Sequence, residues 1–559
     1  MPLASTSSAN QLLATNEPAE KRPRTRPKDA NIIIGDGDNN TANSKTTKPA
    51  VAARMNQGYL EPKFIRDFHR AFTGKAAAKE DDNSHSISVV SENGEGIVVT
   101  SPFHTGKLRN IMPNEFLEGL RAELGELNWH ERSNDLYWFY QTDDLALNGK
   151  PHVKSLRDYL AGEEFVGFME KITGVELTRG YLDLAAQRYK KGNHLLCHDD
   201  DVHRGKLARK IAYIIYLVDE NWSSDDGGAL GLFESDAQMW PIKVVSHIVP
   251  EFNSIGFFLT GHASYHTVEE VTVEDPARER WSVTGWFYGP VASDPTDLGV
   301  EKPQGAQLQL PPLVLPPVVE FEDPDRQLFG LSEQDSQELA KWINSDYTST
   351  KVLDKIQEAF LNESSVELRD FLRIDIYDKC LKEFSSEFWS RAVLLGPAHI
   401  YRYLRACVSE KDAPTLYALL SFLQSPTFAR FMHSITSLKF KGMSQEIRRF
   451  EHGHYTLIHD QVVEPFGVDA IMSLTPKQST DHDVQWQESW GGSTHYIAEK
   501  DELLRISPEP NSFSLVLRDE EGTLRFVKYL NHMAGGIRQE ISMVFVEDPQ
   551  DDKDEDEDE

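Results

Sequence analysis

The octet "LLCHDDDV", Leu195 to Val202, sets a histidine and three carboxylates at the end of an apolar run. Imidazole nitrogens and carboxylate oxygens are ligands for first-row metals. On a strand, residues i and i+2 share a face, so His198 and Asp200 converge while Cys197 and Asp199 turn away. Two ligands from one strand and a third from elsewhere leave half of an octahedron open. That is the two-histidine, one-carboxylate arrangement of non-haem Fe(II) oxygenases. The motif is short, and in a chain with 19 histidines an H-x-D arises by accident roughly once. A hydrogen-bonded strand end explains it equally well unless a third ligand and a cosubstrate site exist.

Both are on offer downstream. In "SIGFFLTGHASYHTVEEV", His266 stands just before a strand-like "TVEEV", with His262 as the alternative ligand. Arg280 then opens the strand "RWSVTGWFYG". A dicarboxylate such as 2-oxoglutarate, chelating the metal at one end, needs a fixed cation at the other. The planar fork of Arg binds a carboxylate bidentately where Lys cannot. Arg278 shares the face of Arg280 and is expected to be solvated. His194 and His203 are expected to line or flank the site.

These residues need a scaffold, and the chain supplies the same plan twice. Each half opens with helical spacing, at Met112 to Trp129 and Ser155 to Gly174, then again at Ser332 onward and Ala413 to Ile435. Ser332 and Asp335 form a capping-box pattern, and Pro426 interrupts the last helix. Short β-rich runs broken by Gly, Asn and Asp follow in each half, which favours a sandwich or jelly roll. "RYKKGNHLLCHDD" lies over "RFEHGHYTLIHDQ", Gly227-Gly228 over Gly491-Gly492, and "PEFNS" over "PEPNS". Several matches in register argue for an internal duplication. The expected fold is α+β, with two tandem double-stranded β-helix domains flanked by helices.

The expected spans are a disordered tail over 1–55, a catalytic jelly roll over 56–291 and a Pro-rich connection over 292–325. A non-catalytic jelly roll over 326–547 and an acidic tail over 548–559 complete the chain. The net charge is −31, which disfavours direct nucleic-acid binding and favours a basic protein partner. Three scattered cysteines suggest no disulfide framework and a reducing compartment. No apolar run approaches the ~20 residues that span a bilayer. The run "KRPRTRPK", Lys21 to Lys28, reads as a nuclear import signal or as a solvated basic patch.

The phrases "LLCHDD", "IAYIIYLV", "GGALGLFES", "TGWFYGP", "HGHYTLIHD" and "FVKYLNH" make the chain similar to 2-oxoglutarate- and Fe(II)-dependent oxygenases. More narrowly, it resembles the eukaryotic family of ribosomal prolyl 3-hydroxylases over Pro102 to Glu547. The resemblance implies His198, Asp200 and His266 as iron ligands and Arg280 as the partner of the distal carboxylate of 2-oxoglutarate. Tyr189 and Tyr216 fall where the family places tyrosines that hydrogen-bond the cosubstrate; the alternative is two core tyrosines with satisfied hydroxyls. It also implies O2 as cosubstrate and L-ascorbate as reductant. The implied substrate is the decoding-centre protein of the small ribosomal subunit, and the implied location is nucleus and cytoplasm. The loop from Asp200 to Ile211 looks long for the family.

In the second half the H-x-D becomes His459-Asp460-Gln461, which moves the carboxylate to the other side of the strand. Aligning "RWSV" with "EISM" puts Glu540 where Arg280 stands, and His532 near the third-ligand position. That half is expected to hold no iron. It would instead bury the first half's surface, form a homodimer or hold a protein. Competing readings are a related oxygenase acting on another protein, a small molecule or nucleic acid, and a non-catalytic regulatory interaction protein.

Overall fold

The repeated motif "PEFNS" and "PEPNS" has a physical reason. In the computed structural model, which describes residues 52–74, 86–291, 316–458, 467–477, 485–498, 501–518 and 522–548, Asn253 and Asn511 hold φ values of 57° and 53°. Asn is one of the few L-residues that visit this left-handed region readily. Asn253 Oδ1 accepts from the Met112 amide at 3.0 Å, and its Nδ2 donates to the Met112 carbonyl at 2.7 Å. Asn511 makes the same pair with Leu372, at 3.0 and 2.9 Å. Each asparagine therefore ties the turn before a central strand to the start of a helix. Those helices are Asn114–Gly125 and Ile374–Glu383.

The strand order also repeats. The first sheet runs Thr105–Arg109, Ser254–Leu259, Leu207–Tyr216, Arg280–Pro290, Ala185–Tyr189 and Tyr137–Thr142. It continues through His194–His198, His266–Val268, Leu230–Ser235 and Pro241–Ile248. The second sheet runs Ser365–Leu368, Phe513–Arg518, Gly467–Ser473, Arg538–Glu547, Phe440–Phe450 and Tyr401–Ala406. A separate sheet of Leu524–Val527, Thr494–Ala498 and Asp501–Ile506 follows the order of the first half's last three strands. The fold is thus a mixture of helices and large antiparallel sheets.

Helices cover one face of each sheet. Pro62–Phe72 starts with Pro in its first turn, where the missing N–H is harmless. Its Phe64, Phe68 and Phe72 recur every fourth residue and stack toward Phe257 of the sheet. The expected helix over Ser155 to Gly174 is instead two, Pro151–Leu160 and Glu163–Thr173. Gly162 between them is extended and caps the second, whose Glu163 and Glu164 suit a helix N-terminus. The Ser332–Asp335 capping box forms, and Ser425 caps a new helix at Pro426.

Ala53 and Met55, assigned to the tail from sequence, are buried in the first core. Residues 1–51 of that tail with its basic run, residues 292–315 of the connection, and 549–559 lie outside the described residues.

The second half covers the back of the strand His194–His198. That strand pairs His266 with His198 but Val268 with Leu195, so one extra residue is inserted between. A bulge of this kind breaks the alternation. Both residues at it pack on the second half: Leu196 against Tyr455, Leu457 and Tyr529, and Cys197 against Ala398. Beside them Glu270 is buried, its carboxylate meeting His452 Nε2 at 2.7 Å, the Tyr529 hydroxyl at 3.2 Å and His532 Nδ1. Burial would raise the Glu270 carboxyl, but the hydrogen bonds from His452 and His532 outweigh it and hold the group below the carboxylate range.

A depressed folded-state pKa means stability that is present above the unfolded value, ~4.3 for Glu, and is lost as pH falls through the folded one. Glu270→Gln is therefore expected to destabilise the protein by about 1–3 kcal/mol at pH 7 and to flatten its acid unfolding limb. Thermal melts between pH 3 and 7 check this; equal melting temperatures at pH 7 would refute the latch.

Candidate active site

The strand His194–His198 stops at His198, and the chain turns so that Asp200 comes back under it. His266 opens the neighbouring strand and lies directly opposite His198. The two imidazoles are 4.2 Å apart between centroids. Asp200 Oδ2 is 3.4 Å from His266 Nε2, and its Oδ1 is 3.9 Å from His198 Nε2. All three ligand atoms lie within 4.8 Å of one another, and this is the one such cluster among the described residues.

Each ring nitrogen away from the centre is occupied. His198 Nδ1 sits 2.7 Å from the Leu196 carbonyl and His266 Nδ1 2.9 Å from the Ser264 carbonyl. A backbone acceptor there fixes the proton on Nδ1 and leaves the Nε2 lone pair toward the centre. Burial lowers the His198 pKa to about 4, so no proton competes for that lone pair at neutral pH. Burial alone would raise Asp200, but the neighbouring imidazoles of His266 and His198 keep it well below the carboxylate range. A preoriented imidazole pair beside an ionised carboxylate fits a divalent first-row metal.

Arg280 lies deeper. It is 1% exposed, and its Nε donates to the Gly228 carbonyl at 2.6 Å. Gly228 has φ +69°, and a Cβ there would fall 2.6 Å from Arg280 Cδ, so only glycine lets the side chain pass. The guanidinium lies over the rings of Tyr189 and Tyr216, at 5.1 and 5.2 Å. Its Nη2 and the Tyr216 hydroxyl are buried and make no hydrogen bond. Buried donors without acceptors are costly, which marks a place for an anionic ligand. Tyr189 differs from Tyr216: its hydroxyl donates to Gln187 Oε1 at 3.2 Å, so its ring rather than its oxygen faces the cation.

The loop over Asp200 to Ile211 is a short hairpin that carries Arg209 inward. Arg209 lies 3.6 Å over Trp286 and reaches Asp200 at 3.7 Å and Asp183 at 3.5 Å. Sequence reading missed both residues. Trp286 was legible, since it shares the strand face of Arg280. Arg209 was not, because a bulge pairs Tyr288 with Arg209 and Phe287 with Ile211, leaving Lys210 over.

The remaining candidates fall elsewhere. His262 pairs with Asp201 at 2.7 Å, and His203 meets the same carboxylate at 3.2 Å. His194 is buried against Tyr529, 4.1 Å between rings, on the outer face of the sheet. Arg278 stays partly exposed, as expected, but is not free: Asp226 holds it at 2.7 Å and it lies over Trp222.

Two expectations for the second half need correction. Arg538, not Glu540, stands where Arg280 does. It pairs with Phe450 as Arg280 pairs with Tyr189, and its Nη1 donates to the Gly492 carbonyl at 2.6 Å. Glu540 matches Ser282, and it fills the space in front of Arg538, accepting from its Nε at 2.7 Å and from Arg448 Nε at 2.8 Å. Burial would raise Glu540, but the two guanidinium charges hold it low. Likewise Arg525, not His532, takes the position of His266: it pairs with Tyr496 as His266 does with Leu232. Arg525 is bridged to Asp469 at 2.9 Å. His459, Asp460 and Gln461 lie outside the described residues.

The chain is similar to known proteins over most of its length. Residues 184–288 match the 2OG-Fe(II) oxygenase superfamily. Residues 334–554 match the family described as oxoglutarate and iron-dependent oxygenase degradation C-term. The prolyl 3-hydroxylase OGFOD1 of Xenopus laevis is 33% identical over 469 residues, covering 77% of this chain and 84% of its own. Its namesake in Mus musculus is 30% identical, covering 76% and 83%. The prolyl 3,4-dihydroxylase OGFOD1 of Ostreococcus tauri is 27% identical, covering 82% and 98%. Among solved structures, a Pseudomonas putida prolyl-4-hydroxylase aligns with 33% of this chain and 91% of its own at 21% identity, with a TM-score of 0.25, too slight to carry weight.

Removing Arg280 withdraws a buried charge from any bound dicarboxylate. Arg280→Ala is expected to weaken 2-oxoglutarate binding by about 30-fold or more, with little change in Mn(II) affinity, both by calorimetry. Equal losses for the two ligands would refute the division of roles. Arg209→Ala should do the reverse, lowering Mn(II) affinity by about 10-fold through Asp200. An unchanged Mn(II) affinity would remove Arg209 from the site.

Proposed function

Because this chain belongs to the prolyl 3-hydroxylase family of 2-oxoglutarate- and Fe(II)-dependent oxygenases, we propose that it hydroxylates C3 of a proline in the decoding-centre protein of the small ribosomal subunit, and so acts on translation. The coarser activity, 2-oxoglutarate-dependent prolyl hydroxylation, is that of the family. The observation that carries the reading is the pairing of the His-Asp-His cluster with a buried Arg280 whose Nη2 lacks an acceptor.

On this reading His198, Asp200 and His266 hold Fe(II), and Arg280 holds the far carboxylate of 2-oxoglutarate. Bound iron supplies the coupled chemistry: O2 and 2-oxoglutarate give succinate and CO2, and one oxygen atom enters a C–H bond of the proline. The protein's part is binding and orientation. Arg280 offers Nη2 to one carboxylate oxygen and Tyr216 donates its hydroxyl to the other, while the Tyr189 ring supports the guanidinium from below. Ala212, Ile214, Leu230, Leu232 and Phe258 pack around Tyr216 and keep water from the carboxylate-binding end. Ascorbate is the reductant we expect to keep the metal ferrous.

We read the second half as a degenerate jelly roll. Its counterparts of the cosubstrate tyrosines are Ser473 and Phe450, and the carboxylate of Glu540 occupies its arginine. The net charge of −31 suits a basic ribosomal protein. The import reading of Lys21 to Lys28 places the enzyme in nucleus and cytoplasm.

The test uses the full chain with Fe(II), 2-oxoglutarate and a proline peptide of that ribosomal protein. Mass spectrometry should find one added oxygen on proline, absent with His198→Ala. Modification that persists in His198→Ala overturns the ligand assignment. Failure to turn over 2-oxoglutarate with any small-subunit protein favours a purely regulatory interaction role.

A further inference from the structure

The outer side of the metal strand bears a patch to which both halves contribute. Tyr265, next to His266, turns outward and is 7% exposed. The His399 ring from the second half lies 5.0 Å from it, and Trp240 lies 6.3 Å beyond, edge-on. The loop that carries His399 is pinned. The Tyr455 hydroxyl donates to the Ala398 carbonyl at 2.6 Å, and the Leu457 amide donates to the Ile400 carbonyl at 2.7 Å. Ala398 itself is buried against Cys197 and Tyr265. His399 is therefore fixed in place and half-buried.

The surroundings continue this surface. Trp240 leads into the edge strand Pro241–Ile248, whose Ile242 and Val245 are 54% and 41% exposed. On the other side the edge strand Val393–Leu395 leads into the His399 loop, with Val393 and Leu394 59% and 48% exposed. Each strand pairs on one side alone. Between metal and patch sits Asp199, whose carboxylate accepts from the Asp201 amide at 3.2 Å. Among the described residues no Lys, Arg or His is within ion-pair reach of it, whereas Asp201 is taken by His262 and His203.

We propose that Trp240 and His399, backed by the buried Tyr265 ring, seat the residues flanking the target proline, and that Asp199 receives a Lys or Arg of the same segment. The occupant is an extended, basic, proline-bearing stretch of the protein substrate. Proline rings and polyproline-like backbone pack on aromatic faces because the pyrrolidine is apolar and already rigid. A carboxylate without a cation beside that face selects a basic neighbour. The second half thus supplies a specificity residue, His399, to a reaction whose metal ligands all come from the first. This rests on the prolyl hydroxylase reading.

The experiment uses the full chain loaded with Fe(II) and 2-oxoglutarate, and a synthetic basic peptide spanning the ribosomal proline. His399→Ala and Trp240→Ala are each expected to raise the peptide KM by about tenfold while kcat and the KM for 2-oxoglutarate stay near wild type. Asp199→Asn should raise KM for the basic peptide and not for one with Gln in place of its Lys and Arg. In parallel, the peptide should cross-link to Trp240→p-benzoylphenylalanine, which needs no turnover. Cross-linking without hydroxylation would sink the hydroxylation reading and leave the seat standing. Hydroxylation with unchanged KM in both alanine variants and no cross-link overturns the seat.

Discussion

A guanidinium removed from water must find acceptors, and the interior of each half is organised by how it does so. Arg280 and Arg538 occupy the same position on the same strand, and each donates to a carbonyl of a Gly-Gly turn at 2.6 Å. In the first half that turn needs glycine because Arg280 passes where a Cβ of Gly228 would be; in the second, Trp486 and Leu530 crowd the same place at Gly492. Beyond that bond the halves diverge. Arg538 closes its valences on Glu540 and Thr494. Arg280 has Ser282 at 3.4 Å and leaves Nη2 open. A buried charge completed from within is structure, whereas one left incomplete is a demand for a ligand.

The same contrast holds at the other end of each interior. His266 and its partners present lone pairs around a small volume. At the matching place Arg525 and Asp469 neutralise each other. Both substitutions put a charged pair where the first half would have a guest, so the second half is complete as folded. What it offers outwardly is surface: it covers the bulged strand, receives Glu270 and places the His399 loop against Tyr265.

Strand alternation picked the right pair, His198 and Asp200, although Asp200 lies past the strand end and a turn brings it under His198. The Ser332 capping box and most of the helical spacing were legible because each depends on local geometry. The misses share a cause. Arg209 faces inward through a bulge that leaves Lys210 over, and bulges have no sequence period. The placement of Glu540 was off by two residues: "EISM" was matched to "RWSV" through its serine, whereas the sheet register matches "RQEI" through its arginine. His532 sits where a ligand was sought, but its partner Glu270 comes from the other half, and contacts at such sequence distance leave no local signal.

The bulge in the metal strand also changes what kind of defect distant mutations produce. Leu196 and Cys197 rest on residues some 200 or more positions away in the chain. Lesions at Tyr455, Leu457 or Ala398 would surface as a protein hungry for iron, repaired by metal supply rather than by substrate. Drift in the second half is thereby answerable to the His-Asp-His cluster of the first.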